Sequence, residues 1–485
     1  MPSFAITTLG CKVNQYESDA IAQSLKNTGY NLLPGKTNAD VCIINTCTVT
    51  HKASMQSRQA IRQAIRNNPG ARVIVTGCYA QIEPDAIRSI KGVHEIIGHA
   101  DKYRIPAIII CADQANEAPR PKGRGFPVRN NGHFNKAPLD PALKGGGSAW
   151  RQSFATGEQS GQKDLPHPVS ICRDISLECD FQQMPVAAFG SRTRLFLKIQ
   201  DGCNTFCSYC IVPYARGRSR SLPLENVLEY IHSIHQAGGR EIVLTGVHLG
   251  AYGIDLSPPR DLLTLLNHIQ EFSTINRVRL SSIEPLELTH DIIGLVAESE
   301  RFCNHFHIPL QSGDDLILKK MNRPYTRSFF RNLVLKIHEL IPDAAIGVDI
   351  LIGFPGETEA AFENTYSLIQ ELPVTYLHVF PFSSRAGTPA SQYPHKVSSK
   401  IIKTRCEQMR ALGNVKKSDF YKRFIGQKVE VLFESKRDSS TGYLKGLTSN
   451  YVPALANGKD GLKNTLVRVR IDSLSENHGL IGKKI

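Results

Sequence analysis

Gly202-Cys203-Asn204-Thr205-Phe206-Cys207-Ser208-Tyr209-Cys210 places three cysteines in CxxxCxxC spacing on one short loop, with an aromatic residue just before the last. Three thiolates this close can hold three corners of a [4Fe–4S] cubane and leave the fourth iron without a protein ligand. An open iron suits a catalyst better than an electron carrier, because another molecule can bind there. The competing reading is a structural zinc knuckle, which closes a four-ligand shell. No fourth Cys or His follows at the distance that such a site needs.

The apolar run Leu195-Phe196-Leu197-Lys198-Ile199 reads as a strand leading into this loop. Beyond it, Ser221-Leu222-Pro223-Leu224-Glu225 predicts a helix start with Ser221 as cap and Pro223 in the first turn. Strand-like runs recur at 241–245, 277–281, 305–310, 345–351 and 375–380, with helical patterns at 261–272, 326–340 and 357–372. The repeated strand–helix units predict a (β/α)6 partial TIM barrel over 189–422, whose site forms at the carboxyl ends of its strands. Those ends carry Thr245-Gly246-Val247-His248, Ser281-Ser282-Ile283-Glu284, His305-Phe306-His307-Ile308-Pro309-Leu310-Gln311 and Gly347-Val348-Asp349, and Ser383-Ser384-Arg385 follows the last. Each alone reads as a polar loop; together they line a pocket.

Upstream, three apolar runs each end at a cysteine. Phe4-Ala5-Ile6-Thr7-Thr8-Leu9-Gly10 leads to Cys11, Val41-Cys42-Ile43-Ile44-Asn45-Thr46 to Cys47, and Arg72-Val73-Ile74-Val75-Thr76-Gly77 to Cys78. Helical patterns at 17–28 and 51–67 lie between them, so 1–112 reads as a parallel α/β sheet with crossover helices. Parallel strands bring all three cysteines out at the carboxyl edge, where open α/β sheets bind ligands. This predicts a second three-cysteine cluster site, again with one iron open. A buried cysteine is otherwise an ordinary small hydrophobe, and Cys42, inside its strand, reads that way.

Residues 113–188 show no periodic apolar face. Pro119-Arg120-Pro121-Lys122-Gly123-Arg124-Gly125 and Gly145-Gly146-Gly147-Ser148 are loop chemistry, and the segment reads as a flexible insertion. Cys172 and Cys179 fall within it without companions and read as incidental. The segment 423–485 changes to short alternating strands. Val429, Val431 and Phe433 point to one face, as do Val467, Val469 and Ile471, while Arg468 and Arg470 point from the other. Lys445, Tyr443 and Tyr451 add charge and stacking surface. A small basic β-barrel of this kind suits nucleic acid; a solubilising or protein-docking module has the same composition.

The whole chain of 485 residues has 41% hydrophobic and 21% charged residues, as in an ordinary globular protein of about three domains. Its formal net charge of +14 favours a polyanionic partner, nucleic acid first. No apolar run approaches the length of a membrane span and no signal-peptide pattern opens the chain, so a cytoplasmic location is expected.

Taken together, these motifs resemble the methylthiotransferase family of radical-SAM enzymes, which join an N-terminal cluster-binding domain, a radical-SAM barrel and a C-terminal TRAM domain. The resemblance spans nearly the whole chain apart from the insertion. Thr8-Leu9-Gly10-Cys11-Lys12-Val13-Asn14-Gln15-Tyr16-Glu17-Ser18 and Tyr214-Ala215-Arg216-Gly217-Arg218-Ser219-Arg220-Ser221 are similar to the MtaB branch, which acts on N6-threonylcarbamoyladenosine beside the tRNA anticodon. The branch acting on isopentenyladenosine typically has Gln-Met-Asn after its first cysteine, and the branch acting on a ribosomal-protein aspartate has Pro-Lys-Asn.

The resemblance implies that Cys203, Cys207 and Cys210 hold a radical-SAM [4Fe–4S] cluster and that Cys11, Cys47 and Cys78 hold an auxiliary one. It implies S-adenosylmethionine both as methyl donor and as radical source, with attack at C2 of the base. Tyr209, Thr245, Gly246, Ser281, Glu284 and Gln311 are the expected S-adenosylmethionine contacts. The glycine-rich motif after the second barrel strand usually ends in Glu, and here that position is Val247. Arg216, Arg218, Arg220, Lys445, Arg468 and Arg470 are candidate contacts to RNA phosphate or to the threonylcarbamoyl carboxylate; the arginines near the cluster loop also read as plain surface charges. The implied partners are the tRNA anticodon stem-loop, an electron donor such as a flavodoxin or ferredoxin, and a sulfur source. The rivals are the other two branches and, from a different class, a non-catalytic RNA-binding iron–sulfur protein.

Overall fold

Six parallel strands make the N-terminal sheet, in the order β2-β1-β3-β4-β5-β6. They are β1 (Ser3–Thr8), β2 (Asn31–Leu32), β3 (Val41–Thr46), β4 (Arg72–Gly77), β5 (Glu95–Ile97) and β6 (Val169–Ile171). Every residue of β3 is buried, as in a parallel strand covered on both faces, and Cys42 lies in that core. Helix α1 (Lys12–Asn27) follows β1, with Cys11 at its N-cap. Helix α2 (His51–Asn67) follows β3 and is capped by Thr50, whose Oγ1 accepts the Ala53 N–H. Cys78 opens the short helix α3 (Cys78–Ile82) after β4.

The computed structural model describes residues 1–33, 38–117, 168–185, 193–475 and 479–485. The chain divides into two compact units, one of Met1–Pro106 with Pro168–Ile485 and the other of Ala107–His167. Of the second, only the helix Ile105–Glu117 that enters it is described, and the glycine- and proline-rich runs expected as linker lie outside the described residues. The expected insertion over 113–188 needs correcting at its end. Val169–Ile171 is a strand paired with β5, and Cys172 packs half-buried against the carbonyls of Ala80 and Ile96. A three-residue strand is too short for alternation to reveal it.

The central region holds β7 (Arg194–Lys198), then β8 (Gln200–Asp201) and β9 (Arg220–Ser221), which pair antiparallel beside the cysteine loop. It continues with β10 (Glu241–Thr245), β11 (Arg277–Leu280), β12 (His305–Gln311), β13 (Ala345–Ile352) and β14 (Tyr376–Pro381). β7, β10 and β11 form one parallel sheet and β12, β13 and β14 another; bridges Val278–Phe302 and Ser282–His307 connect them. This is the six-stranded partial barrel that the strand–helix alternation predicts. Among the described residues no ladder joins β7 to β14, and α1 lies against β7. Ser221 does not cap the following helix, Leu224–Gln236, whose N-cap is Pro223. Its Oγ donates to Asp255 and its backbone is already paired in β9, so an adjacent strand wins over the capping role.

The helix Ser399–Lys422 leads to a closed barrel of β15 (Lys428–Arg437), β16 (Leu444–Thr448), β17 (Pro453–Ala456), β18 (Leu466–Leu474) and β19 (Leu480–Lys484). Val431, Phe433, Val467, Val469 and Ile471 fill it, with Phe420, Tyr421 and Phe424 from the linking helix end. Arg468 and Arg470 face outward. Tyr451 corrects the expectation of a stacking surface for nucleic acid. Its backbone turns at φ +68, and its ring sits 4.7 Å from the His305 ring and 4.7 Å from the Arg279 guanidinium, at the start of the β11 and β12 strands. Arg279, 1% exposed at its side chain, pairs with Glu241 at 3.0 Å and donates to the carbonyls of Ser449 and Thr448. Arg277 reaches Glu430 at 2.8 Å, and Arg194 reaches Glu434 at 2.7 Å. The small barrel therefore seats on the amino-terminal ends of the central strands. Among the described residues no helix is long and apolar enough to cross a membrane.

Arg279→Ala leaves Glu241 buried without its closest partner, which costs about 3–5 kcal/mol. We expect a lower melting midpoint and faster trypsin cleavage near Arg423, read by differential scanning fluorimetry and limited proteolysis.

Candidate functional site

Glycines bring the three N-terminal cysteines together. Gly10 and Gly77 both sit at φ +97, in the region that side chains rarely adopt. A Cβ on Gly10 would lie 2.9 Å from Cys47 Cβ, and one on Gly77 would lie 2.4 Å from the Thr46 carbonyl. Asn14 Nδ2 ties the first two loops, donating to the Leu9 carbonyl at 2.7 Å and the Thr46 carbonyl at 3.0 Å. Cys47 N–H donates to Ser57 Oγ, which returns a hydrogen bond to the Cys47 carbonyl. Cys47 and Cys78 are buried while Cys11 is exposed. Burial pushes the Cys78 thiol up to about 12, opposed by Arg216.

The CxxxCxxC loop is held as tightly. Gly202 has φ +74, and a Cβ there would collide with the Arg218 carbonyl at 1.8 Å. Phe206, at φ +48, is kept in a left-handed turn by Asn322 Nδ2, which donates to the Thr205 and Phe206 carbonyls at 3.2 Å each. Ser208 anchors to the carbonyls of Met321 and Lys320. The sulfurs face cations: Arg323 Nη1 lies 3.3 Å from Cys207 Sγ, and His248 Nδ1 lies 3.4 Å from Cys203 Sγ. Arg323 is itself paired with Glu284, and His248 Nε2 with Glu287 Oε1 at 2.6 Å. Burial pushes the Cys210 thiol up to about 12. Both sets are thus thiols on glycine-cradled loops, burial favouring the proton in most of them. A metal that displaces those protons fits this donor chemistry.

Between the two sets runs a buried ion network. Arg216 donates to Glu17 at 3.0 Å, Asp201 at 2.8 Å and Asn14 Oδ1 at 2.6 Å. Lys102 pairs with Glu17, and Lys198 with both Glu17 and Asp201. This corrects the expectation that Arg216 and Arg220 contact RNA. Arg216 is 2% exposed, and Arg220, 4% exposed, is spent on the carbonyls of Glu178 and Arg216. Of the three arginines only Arg218 is exposed. On the C-terminal barrel Arg468 is exposed, Arg470 lies 3.3 Å from Asp472, and Lys445 lies 3.9 Å from Glu434.

The expected S-adenosylmethionine contacts gather at the carboxyl ends of the barrel strands. Thr245 and Ser281 are buried, and Ser281 Oγ has no hydrogen-bond partner among the described residues. A Cβ on Gly246 would lie 2.8 Å from Gln200 Oε1. Gln311 ends β12 at φ +67, and Tyr209 packs edge-on to Phe354 at 6.5 Å. Glu284, however, is committed to Arg323. Deeper in the barrel, His307 Nε2 and His378 Nδ1 converge on Asp349 Oδ1 at 2.8 and 3.2 Å. The three donor atoms lie within 4.8 Å of one another, a set with the ligand types of a divalent-cation site. Burial pushes the Asp349 carboxyl up, but its two histidine hydrogen bonds hold it below the usual range.

Sequence reasoning missed Arg323, His248 in its contact with Cys203, and the Glu17 network. For Glu17 a signal existed: it follows Val13 and Tyr16 on the buried stripe of α1, where an unpaired carboxylate would be costly.

Residues 3–98 match the uncharacterized protein family UPF0004, and residues 197–369 match the radical SAM superfamily. The threonylcarbamoyladenosine tRNA methylthiotransferase MtaB of Bacillus subtilis (strain 168) is 35% identical over 97% of this chain and 94% of its own. That of Aquifex aeolicus (strain VF5) is 32% identical over 96% and 99%. A tRNA-2-methylthio-N(6)-dimethylallyladenosine synthase from Clostridium tetani is 32% identical over 92% and 88%. Among solved structures, the radical S-adenosylmethionine methyltransferase TsrM from Kitasatospora setae superposes with a TM-score of 0.50 at 17% identity, over 80% of this chain and 74% of that one. That likeness is one of fold.

Glu17 and Asp201 are pushed up by burial but held well below the usual carboxylate range, chiefly by Arg216. Groups depressed on folding stabilise the protein above the unfolded pKa of about 4, and that stabilisation is lost as pH falls below it. We expect the melting midpoint to drop as pH is taken below about 4. Arg216→Met should lower the midpoint at neutral pH and make that drop smaller, because the folded-state pKa values of Glu17 and Asp201 then lie nearer the unfolded one, measured by scanning fluorimetry across a pH series.

Proposed function

Because the chain belongs to the tRNA methylthiotransferase family of radical-SAM enzymes, we propose that it methylthiolates C2 of N6-threonylcarbamoyladenosine beside the tRNA anticodon, giving 2-methylthio-N6-threonylcarbamoyladenosine. The observation that carries this reading is the near full-length match to several relatives that bear that activity in their names. In this reading Cys203, Cys207 and Cys210 hold the radical-SAM cluster, and Cys11, Cys47 and Cys78 hold the auxiliary cluster. Bound there, two [4Fe–4S] clusters and S-adenosylmethionine supply the one-electron chemistry and the sulfur and methyl groups of the product.

The chain's own residues supply position and field. Arg323 and His248 place donors on Cys207 and Cys203 and stabilise their thiolate forms. Asn14 and Arg216 fix the separation of the two cysteine sets by spanning both domains. Holding base and reacting groups in contact replaces a collision with an oriented encounter. Tyr451 and the loop around it close the lower end of the barrel, which keeps water from a radical reaction. Arg218, Lys445, Arg468 and Arg470 contact RNA phosphate, an outlet for the net charge of +14. A flavodoxin or ferredoxin delivers the electron, and the enzyme works in the cytoplasm, where its tRNA is.

A second reading, methylthiolation of dimethylallyladenosine, is favoured by the 32% identity to the Clostridium tetani synthase. Nucleoside mass spectrometry of tRNA from a deletion strain separates the two. Loss of 2-methylthio-N6-threonylcarbamoyladenosine with the dimethylallyl product intact supports the first reading; the reverse pattern overturns it. In reconstituted protein, Cys78→Ala should halve the iron content and stop methylthiolation while 5′-deoxyadenosine release continues. Cys203→Ala should also halve the iron and stop both.

A further inference from the structure

His307, Asp349 and His378 stand on three adjacent parallel strands, β12, β13 and β14. Asp349 is the register partner of His378 on one side and of Pro309 on the other. His307 precedes Pro309 by two positions, and side chains two apart share a face of a strand. All three groups therefore emerge on one side of the sheet, opposite the fully buried Ile346, Val348 and Ile350. His307 Nε2 lies 2.8 Å and His378 Nδ1 3.2 Å from the same oxygen, Asp349 Oδ1. Histidine nitrogen and carboxylate oxygen bind a divalent transition cation at about 2.0–2.1 Å, so ligands about 90–110° apart are separated by about 2.8–3.4 Å. Both observed separations fall in that range. The three donor atoms lie within 4.8 Å of one another, so only the His307–His378 edge has to close. His378, with its side chain 49% exposed, has room to close it. The second oxygen of Asp349, Oδ2, has no donor among the described residues.

A second observation concerns how the His307 ring is held. Gly347 is the register partner of both His307 and Tyr376, and it leaves a gap that Tyr376 fills. A Cβ on Gly347 would lie 2.1 Å from Tyr376 Cζ. The Tyr376 ring meets His307 edge-on with centroids 6.0 Å apart, and its Oη lies 2.7 Å from His305 Nε2. Surroundings that fix a histidine ring hold its nitrogen ready for a metal, and ligands carried by strands are placed more firmly than ligands on loops.

We propose that His307, Asp349 and His378 form a site for one divalent transition cation, held by two imidazoles and a carboxylate. Two nitrogens and one oxygen suit Zn²⁺, Fe²⁺ or Mn²⁺ and disfavour Mg²⁺ and Ca²⁺, which take oxygen ligands. Three protein ligands leave at least one coordination position for water, as in catalytic rather than structural metal sites. The site shares no residue with either cysteine set, and it does not depend on the substrate assigned above.

The test uses reconstituted holoenzyme, washed with EDTA, incubated anaerobically with Zn²⁺ and desalted, with iron and zinc counted by mass spectrometry. Wild type should keep about eight irons per chain and retain about one zinc. Asp349→Asn and His378→Gln should keep the iron and lose that zinc. Zn²⁺ should also raise the melting midpoint of wild type and leave that of both variants where it was. His378 is half-exposed, so His378→Gln is the variant that spares the fold, and its iron content and zinc-free midpoint check this. Wild type that retains no zinc would overturn the site whatever the variants do. Variants that retain as much zinc as wild type would overturn it too, leaving a hydrogen-bonded His–Asp–His chain. Neither result touches the methylthiolation reading, which the tRNA nucleosides test.

Discussion

Taking the Arg216 guanidinium, two carboxylates and two ammonium groups out of water costs several kcal/mol per ion, and such a group persists only when each member is bonded to the others. Here the members come from both sides of a domain boundary: Asn14, Glu17 and Lys102 from the N-terminal sheet, Lys198, Asp201 and Arg216 from the barrel. Each half keeps a pair of its own, Glu17 with Lys102 and Asp201 with Lys198, and Lys198 and Arg216 join the two. A shift of α1 along β7 by one turn would take Glu17 from Lys198 and Arg216 and leave it Lys102 alone, so the network favours a single docked register. Three cations face two carboxylates, and the surplus positive charge lies beside the thiols of Cys11 and Cys78. One arrangement therefore aligns the two cysteine sets and opposes the burial that favours the Cys78 thiol.

Much of this was readable from the chain. The β1, β3 and β4 runs end in cysteine, and parallel pairing alone then delivers Cys11, Cys47 and Cys78 to one edge. The barrel strands are runs of four to eight residues rich in apolar side chains, and their regular recurrence between helical patterns marks them. What failed to show was local. Ser221 looks like a cap because sequence cannot reveal that its backbone is claimed by β9. Val169–Ile171 is too short to stand out from the polar run around it.

Arg216 and Arg220 were misread for a deeper reason. An arginine-rich run near a cysteine loop is the same string whether it faces RNA or the interior; for Arg216 the decision is made by Glu17, nearly two hundred positions away, and for Arg220 by the carbonyls of Glu178 and Arg216. Tyr451 is the same case with an aromatic ring, since its neighbours His305 and Arg279 belong to another domain. Partners distant in sequence leave no periodicity and no spacing.

The placement of Tyr451 makes the C-terminal barrel part of the masonry of the central one. The turn from Thr448 to Tyr451 is the floorboard of the central barrel, and the outward arginines 468 and 470 stand on the same small body. A chain that loses this body would uncover His305 and Arg279 at the lower end of the central barrel. The lower end of the central barrel is thereby closed only once the C-terminal body has folded onto it.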